Sequence, residues 1–252
     1  MKTFIIQSKK ILILIFWLCV WLGLALIVKN GVILPSPIKV FSKLLELVKE
    51  NTFWISCFSS LAKTLIGFIL ALIIGSIIGV LTYYFKFLKE ILSPILLIIK
   101  TAPIVSFILI TLFFIHSYYV PTIIAMIMVI PIVWENVHMG LINTNKKYLQ
   151  MAKVYNFSKK NIFKHIYIPQ IMPYFISSGT IGIGFAWKSA ITAELISSTK
   201  YGIGNQIYLA KLYIETESIF AWTIIVIILS LLFQKLFLIF FRSLYDTNKK
   251  FI

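Results

Sequence analysis

Seven ionisable side chains interrupt runs of the chain that are otherwise apolar: Lys63, Lys100, Glu135, His138, Lys188, Glu194 and Lys235. At a bilayer centre each costs about 2.5–3.5 kcal/mol on insertion scales, so each must face protein, water or an interface. Lys63 lies about two turns into one apolar run and Lys235 about two turns before the end of another, positions from which a lysine snorkels to the headgroups. Glu135 and His138 stand one turn apart, a spacing that favours a local hydrogen bond over a proton relay. Lys188 and Glu194 point about 120° apart on a helix, so they do not neutralise one another and each needs its own partner. For Lys100 and Lys188 the structural reading is ion pairing between helices.

Enzymatic chemistry finds little footing. Glu135, His138 and His165 are the acid–base residues available, and nothing resembles a HExxH zinc site, a nucleophile elbow or paired aspartates. There is no Gly-x-x-x-x-Gly-Lys-Ser/Thr phosphate loop, so ATP is not expected to bind this chain. Cys19 and Cys57 lie in or beside apolar runs without metal-ligand spacing and read as small buried hydrophobes. No metal or other cofactor is implied.

The elements that position these charges are membrane helices. The 252 residues are 60% hydrophobic and 13% charged, with a mean hydropathy of +0.97, a balance outside the range of soluble domains. Spans of about 20 residues leave room for five or six helices in one membrane domain. The apolar runs place them at 11–28, 56–83, 91–115, 120–139, 171–195 and 219–241. The first run, after Lys2, Lys9 and Lys10, imitates a signal peptide. It is too long for one and lacks a small-x-small cleavage site, so it reads as a retained span. The net charge of +16 comes from lysines that flank apolar runs, which fits topology and anionic lipid rather than nucleic acid. Their distribution predicts cytoplasmic N- and C-termini. The resulting layout is an N-terminal span (1–30), an external segment (31–55), a core (56–245) with a cytoplasmic loop at 140–170, and a cytoplasmic tail (246–252).

Between the first two spans, Leu34-Pro35-Ser36-Pro37 supplies an N-cap at Ser36 and proline at the first helical position. Val40, Leu44, Leu47 and Val48 then form one stripe, so 37–50 reads as a short amphipathic helix on the outer surface. Gly67, Gly75 and Gly79 would let a neighbouring backbone come close. Pro103, after Lys100-Thr101-Ala102, should break the third span where freed carbonyls border protein or a water-filled cavity.

The longest hydrophilic stretch runs from Tyr148 to Pro173. Lys146, Lys147, Lys153, Lys159, Lys160 and Lys164 crowd into and before it, while Leu149, Met151, Val154, Phe157, Ile162, Phe163 and Ile166 recur near helical spacing. It is a loop with helices of its own and an apolar face seeking a partner. Its spacing resembles the cytoplasmic signature of binding-protein-dependent ABC importer permeases: Glu-Ala-Ala, three residues, Gly, nine residues, Ile, one residue, Leu-Pro. Here Gln150-Met151-Ala152, Asn156, Ile166 and Ile168-Pro169 fill those positions. Gln150 replaces the acidic residue, losing its charge but keeping hydrogen bonding. Asn156 replaces the glycine, and asparagine is the next residue most tolerant of a left-handed turn. The Leu-Pro-Ser-Pro opening is similar to that of the branch serving nitrate, taurine, alkanesulfonate and thiamine-precursor importers. Trp187-Lys188, Ala193-Glu194 and Gly202-Ile203-Gly204 resemble the same family's fifth core helix and the turn after it.

The resemblance implies an all-α membrane protein of six helices with the type I (MetI-like) importer permease fold. It also implies a permease homodimer around the path, separate ABC ATPases that carry ATP and Mg²⁺ and dock on the loop, and an extracellular or periplasmic substrate-binding protein. In that family the helix that resembles the one carrying Trp187, Lys188 and Glu194 borders the path at the dimer axis, and a basic residue near a proline pair often stands where Lys100 and Pro103 stand here. The resemblance thus implies that Lys188 or Lys100 offers the path a positive charge suited to an anionic substrate, the alternative being ion pairing between helices. The host compartment would be a bacterial cell membrane, the substrate a small anion or a thiamine-precursor pyrimidine. The rival reading is an autonomous channel or secondary carrier, for which inverted repeats would be expected; no convincing repeat is visible.

Overall fold

The computed structural model describes residues 2–249, with side chains described for residues 12–243. The described residues form eleven α-helices and one π-helical turn, with no strand among them. In order they are α1 (Lys2–Val28), α2 (Pro37–Leu47), α3 (Asn51–Tyr84), α4 (Lys86–Thr101), α5 (Ile104–Phe114), α6 (Val120–Ile142), α7 (Lys146–Val154), α8 (Lys159–Ile162), the π turn (Phe163–Tyr167), α9 (Ile168–Ser197), α10 (Ile203–Leu212) and α11 (Thr216–Lys249). Residues 250–252 of the expected tail, and the side chains of Lys2, Lys9, Lys10 and Lys249, lie outside the description. Residues 246–249 continue α11 as helix.

At the centre α6 packs along α3 on one side and α9 on the other. The seam with α3 depends on missing side chains. A Cβ on Gly75 would stand 2.8 Å from Val133 Cβ, and one on Gly79 2.9 Å from Val137 Cβ, so glycine lets the two backbones approach. The core here is Phe68 and Ala71 of α3, Val129, Val133 and Val137 of α6, and Ile183 and Ala186 of α9. Each apolar run of the sequence falls within one or two of these helices. Among the described residues, α3, α6 and α11 are long and apolar enough to cross a bilayer. The 30 residues of α9 are interrupted by buried polar side chains, Ser178, Ser189 and Glu194 among them.

The third expected span is not one straight helix. It is divided into α4 and α5, bent by 108°. Ala102, extended at ψ 147° before Pro103, shows why: the proline ring bars the α region to the residue before it. The angle comes from packing, because Ile108 of α5 is fully buried in a cluster with Ile124 of α6 and Ala193 of α9. The helix expected over 37–50 is α2, which starts where the sequence puts it and ends earlier, at Leu47: Ser36 Oγ accepts from the Lys39 amide at 3.4 Å and proline opens it. Val40 and Leu47 are its buried residues, and it packs on α11. Cys57 is buried, whereas Cys19 is exposed on α1 rather than buried.

Candidate functional site

The intramembrane charges separate into three groups. The deepest is on the end of the molecule opposite the loop. Glu194, fully buried, accepts at Oε1 from Lys63 Nζ (3.2 Å) and at Oε2 from Ser60 Oγ (2.7 Å) and the Gly204 amide (3.0 Å). Lys63 Nζ also donates to the Tyr201 carbonyl (2.6 Å), and Ser60 Oγ accepts from the Ile203 amide (2.8 Å). Thus two free N–H groups at the start of α10 are satisfied by a carboxylate from α9 and a hydroxyl from α3, a long-range version of N-capping. Gly202 is needed because its Cβ would lie 2.6 Å from the Glu194 carboxylate, and a Cβ on Gly204 would lie 2.5 Å from Glu194 Cβ. Lys63 therefore does not snorkel: it is 3% exposed, since a carboxylate and a carbonyl inside the protein replace the headgroup region.

The second group lies further toward the loop. Lys100, at the end of α4, pairs with Glu135 of α6, both partly exposed. Glu135 thus turns away from His138, correcting the expectation of a bond between them. His138 Nδ1 instead meets Thr82 Oγ1 at 3.2 Å, and Trp134 Nε1 donates to that hydroxyl at 2.9 Å. A one-turn spacing fixes angular proximity only, and α3 and α4 supply the stronger partners. Pro103, between α4 and α5, is exposed beside this pair in sequence.

The third group is a single residue. Lys188 is exposed on the face of α9 that also shows Ile181 and Phe185, and among the described residues it has no carboxylate partner. Trp187, its neighbour, turns the other way and is buried against Phe233 of α11. Close approaches of Gly182 to Val129 and of Gly140 to Tyr174 show that α6 and α9 run antiparallel. Lys188 therefore stands about ten residues further out along α9 than the level of Glu135, roughly 15 Å at helical rise. The sequence-named path residues are thus not one cluster. Glu194 belongs to a buried lock, Lys100 to a neutralised pair, and Lys188 to an open face.

The loop forms a surface of its own. Asn156 adopts φ 52°, the left-handed conformation its position demands, and closes α7 with paired bonds from the Asn156 amide to Lys153 O and the Phe157 amide to Ala152 O, a Schellman motif. Ala152 and Ile166 are buried, holding the loop to the body, while Ile168 and Pro169 open α9. Gln150 and Met151 are exposed. Tyr148, Met151, Val154 and Tyr155 form an exposed apolar face on and just beyond α7, with Val154 78% accessible. Tyr148 and Tyr155 fall at helical spacing from Met151, a signal that becomes readable in sequence once tyrosine is counted with the apolar positions. The π turn ends at Tyr167, whose hydroxyl lies 3.4 Å from that of Tyr83; burial, then the Tyr83 hydroxyl, push its phenol above the usual range.

Residues 63–246 match the family described as the binding-protein-dependent transport system inner membrane component, and the chain belongs to that family. A Brucella melitensis biotype 1 protein named "Probable ABC transporter permease protein" is 24% identical over 210 residues, covering 82% of this chain and 84% of its own. The nitrate import permease protein of Synechocystis is 27% identical, over 66% of this chain and 64% of its own. The formylaminopyrimidine transport permease of Halalkalibacterium halodurans is 22% identical, over 73% and 74%. In fold the chain is similar to a chain of the MetNI methionine ABC transporter in an inward facing conformation. The TM-score is 0.65 at 17% identity, covering 77% of this chain and 98% of that one. The protein is therefore a multi-pass ABC importer permease subunit with a MetI-like fold, and ATP hydrolysis belongs to a separate subunit.

Proposed function

We propose that two copies of this chain enclose a path for a small anion, of the nitrate, sulfonate or taurine kind, or for a thiamine-precursor pyrimidine. Lys188 presents the recognising charge. The observation that carries this reading is the disposition of the intramembrane lysines. Lys63 and Lys100 each have a carboxylate partner, and Lys235 is exposed about two turns before the loop-side end of the 219–241 apolar run, a position from which a lysine snorkels. Lys188 stands on an exposed face of α9, nine residues before the helix ends at Ser197, without a carboxylate partner among the described residues. Exposure to lipid there is costly, so that face belongs against a water-filled path at the contact between two subunits.

The exposed apolar face of α7, ringed by lysines, docks on a separate ABC ATPase; Gln150 and Met151 touch it, while Ala152, Asn156, Ile166, Ile168 and Pro169 hold its shape. Nucleotide-driven closure of the ATPases then moves the spans as bodies and alternates access. An extracellular or periplasmic binding protein delivers substrate to the opposite end. The chain lies in a bacterial cell membrane on this reading, and the lysine distribution supports a cytoplasmic loop and cytoplasmic termini.

The test is uptake by the permease reconstituted with its ATPase and binding protein, using nitrate, taurine and formylaminopyrimidine as probes. Lys188→Gln should raise the KM for the transported anion about tenfold or more, the loss of one charge-assisted hydrogen bond. Lys188→Arg should restore much of it, and ATPase association should not change. Wild-type uptake by Lys188→Gln would remove Lys188 from the path.

A further inference from the structure

The turn from α10 to α11 holds a conformation its sequence resists. The Ile214 amide donates to Lys211 O at 3.2 Å and the Glu215 amide to Ala210 O at 2.8 Å, the same motif that ends α7. Here the left-handed position, φ 60°, is occupied by isoleucine. A β-branched residue is among the worst for that conformation, which is usually given to glycine or asparagine. Such a residue persists only where its surroundings over-determine it, and such sites concentrate where a surface does work.

The surroundings do over-determine it. On the far side of the turn Thr216 Oγ1 donates to the Val32 carbonyl (2.5 Å), and Ser218 Oγ donates to Glu215 Oε2 (2.6 Å). Lys43 reaches Glu215 at 3.9 Å and Lys39 reaches Glu217 at 3.5 Å. The turn is strapped to α2 and the α1–α2 connection, yet its own apolar side chains touch little. Leu212, Tyr213 and Ile214 are 57%, 74% and 68% exposed. They sit at and just beyond the end of α10; Lys211 and Glu215 flank them in sequence, and Ile214 lines one cavity with Lys39, Lys43, Glu215 and Glu217. An apolar patch ringed by charge suits a protein partner better than lipid, which would leave that ring unsolvated.

We propose that Leu212, Tyr213 and Ile214 form a fixed docking knuckle for the substrate-binding protein, with Tyr213 as its anchor. This rests on the reading above that the end opposite the loop is external. In a binding-protein-dependent transporter, that is the face the binding protein reaches. Ile214 is kept in a strained geometry because its side chain contributes to that contact.

The test begins with Tyr213→p-benzoylphenylalanine in the full transporter in its host membrane, with Phe58→p-benzoylphenylalanine in the α3 span as control. Photolysis should give an adduct with an extracellular substrate-binding protein at position 213 and none at position 58. That protein is then titrated against the permease–ATPase complex in nanodiscs. Ile214→Gly, which relieves the backbone, should leave the thermal midpoint equal or higher while weakening binding about tenfold, and Tyr213→Ser should weaken it similarly. Adducts at 213 with lipid alone, or unchanged affinity in both variants, would overturn the proposal. Absence of a co-purifying ATPase would instead overturn the permease assembly on which it rests.

Discussion

The buried Lys63–Glu194 pair joins three helices and gives the sharpest energetic expectation. Glu194 is fully buried and Lys63 is 3% exposed, so solvent screens neither. Removing one partner strands the other charge, which costs about 3–5 kcal/mol, whereas replacing both leaves no orphan ion. The carboxylate also serves Ser60 and the Gly204 amide, so Glu194→Gln keeps an acceptor for them while discarding the charge. The informative set is therefore Lys63→Met, Glu194→Gln and the double variant, assayed by unfolding of the detergent-solubilised protein in sodium dodecyl sulfate. Lys63→Met should lose about 3 kcal/mol or more, and adding Glu194→Gln should recover at least half of that, a coupling of about 1.5 kcal/mol or more. Additive single losses below about 1 kcal/mol would show that the two groups do not interact as a buried pair.

The Lys100–Glu135 pair is partly exposed, so Lys100→Met should cost about 1 kcal/mol or less, an effect visible in a salt titration of the unfolding midpoint. Gly75→Leu should lose at least about 1–3 kcal/mol by overpacking the α3–α6 seam, measured by the same unfolding assay. Asn156→Gly should be tolerated and Asn156→Val should cost about 1 kcal/mol or more, because only the former accepts the left-handed turn cheaply. Burial raises the Tyr167 phenol above its ordinary value, so in the folded chain it stays neutral where an unfolded tyrosine ionises. Its contribution to stability is full below about pH 10 and is lost as pH rises from there. Ultraviolet titration of wild type against Tyr167→Phe should remove the latest-ionising tyrosine.

Hydropathy made the apolar spans legible because lipid requires continuous apolar length, and the loop stood out by contrast. Asn156 was legible too, because the backbone conformation it serves is local and asparagine is a known substitute for glycine there. Pairings were not. Lys63 meets Glu194 across 131 positions, and Lys100 meets Glu135 across 35. A linear reading of depth sent Lys63 to the headgroups because it could not see the carboxylate on α9. Pro103 announced a break, but its 108° angle is set by where Ile108 packs between α6 and α9. Within the loop, the motif spacing includes Ala152, Asn156 and Ile166, which the fold uses to shape it. Exposure was needed to distinguish buried Ala152 and Ile166 from the outward face of Tyr148, Met151, Val154 and Tyr155.

The account depends most on the loop as the site of coupling to a separate ATPase, and capture of that ATPase tests it directly. Detergent-solubilised wild type should retain one ABC ATPase from the host. Met151→Glu with Val154→Glu, at two exposed positions, should lose it while keeping the wild-type thermal midpoint. Equal capture by both forms, or no ATPase on either, would contradict the assignment.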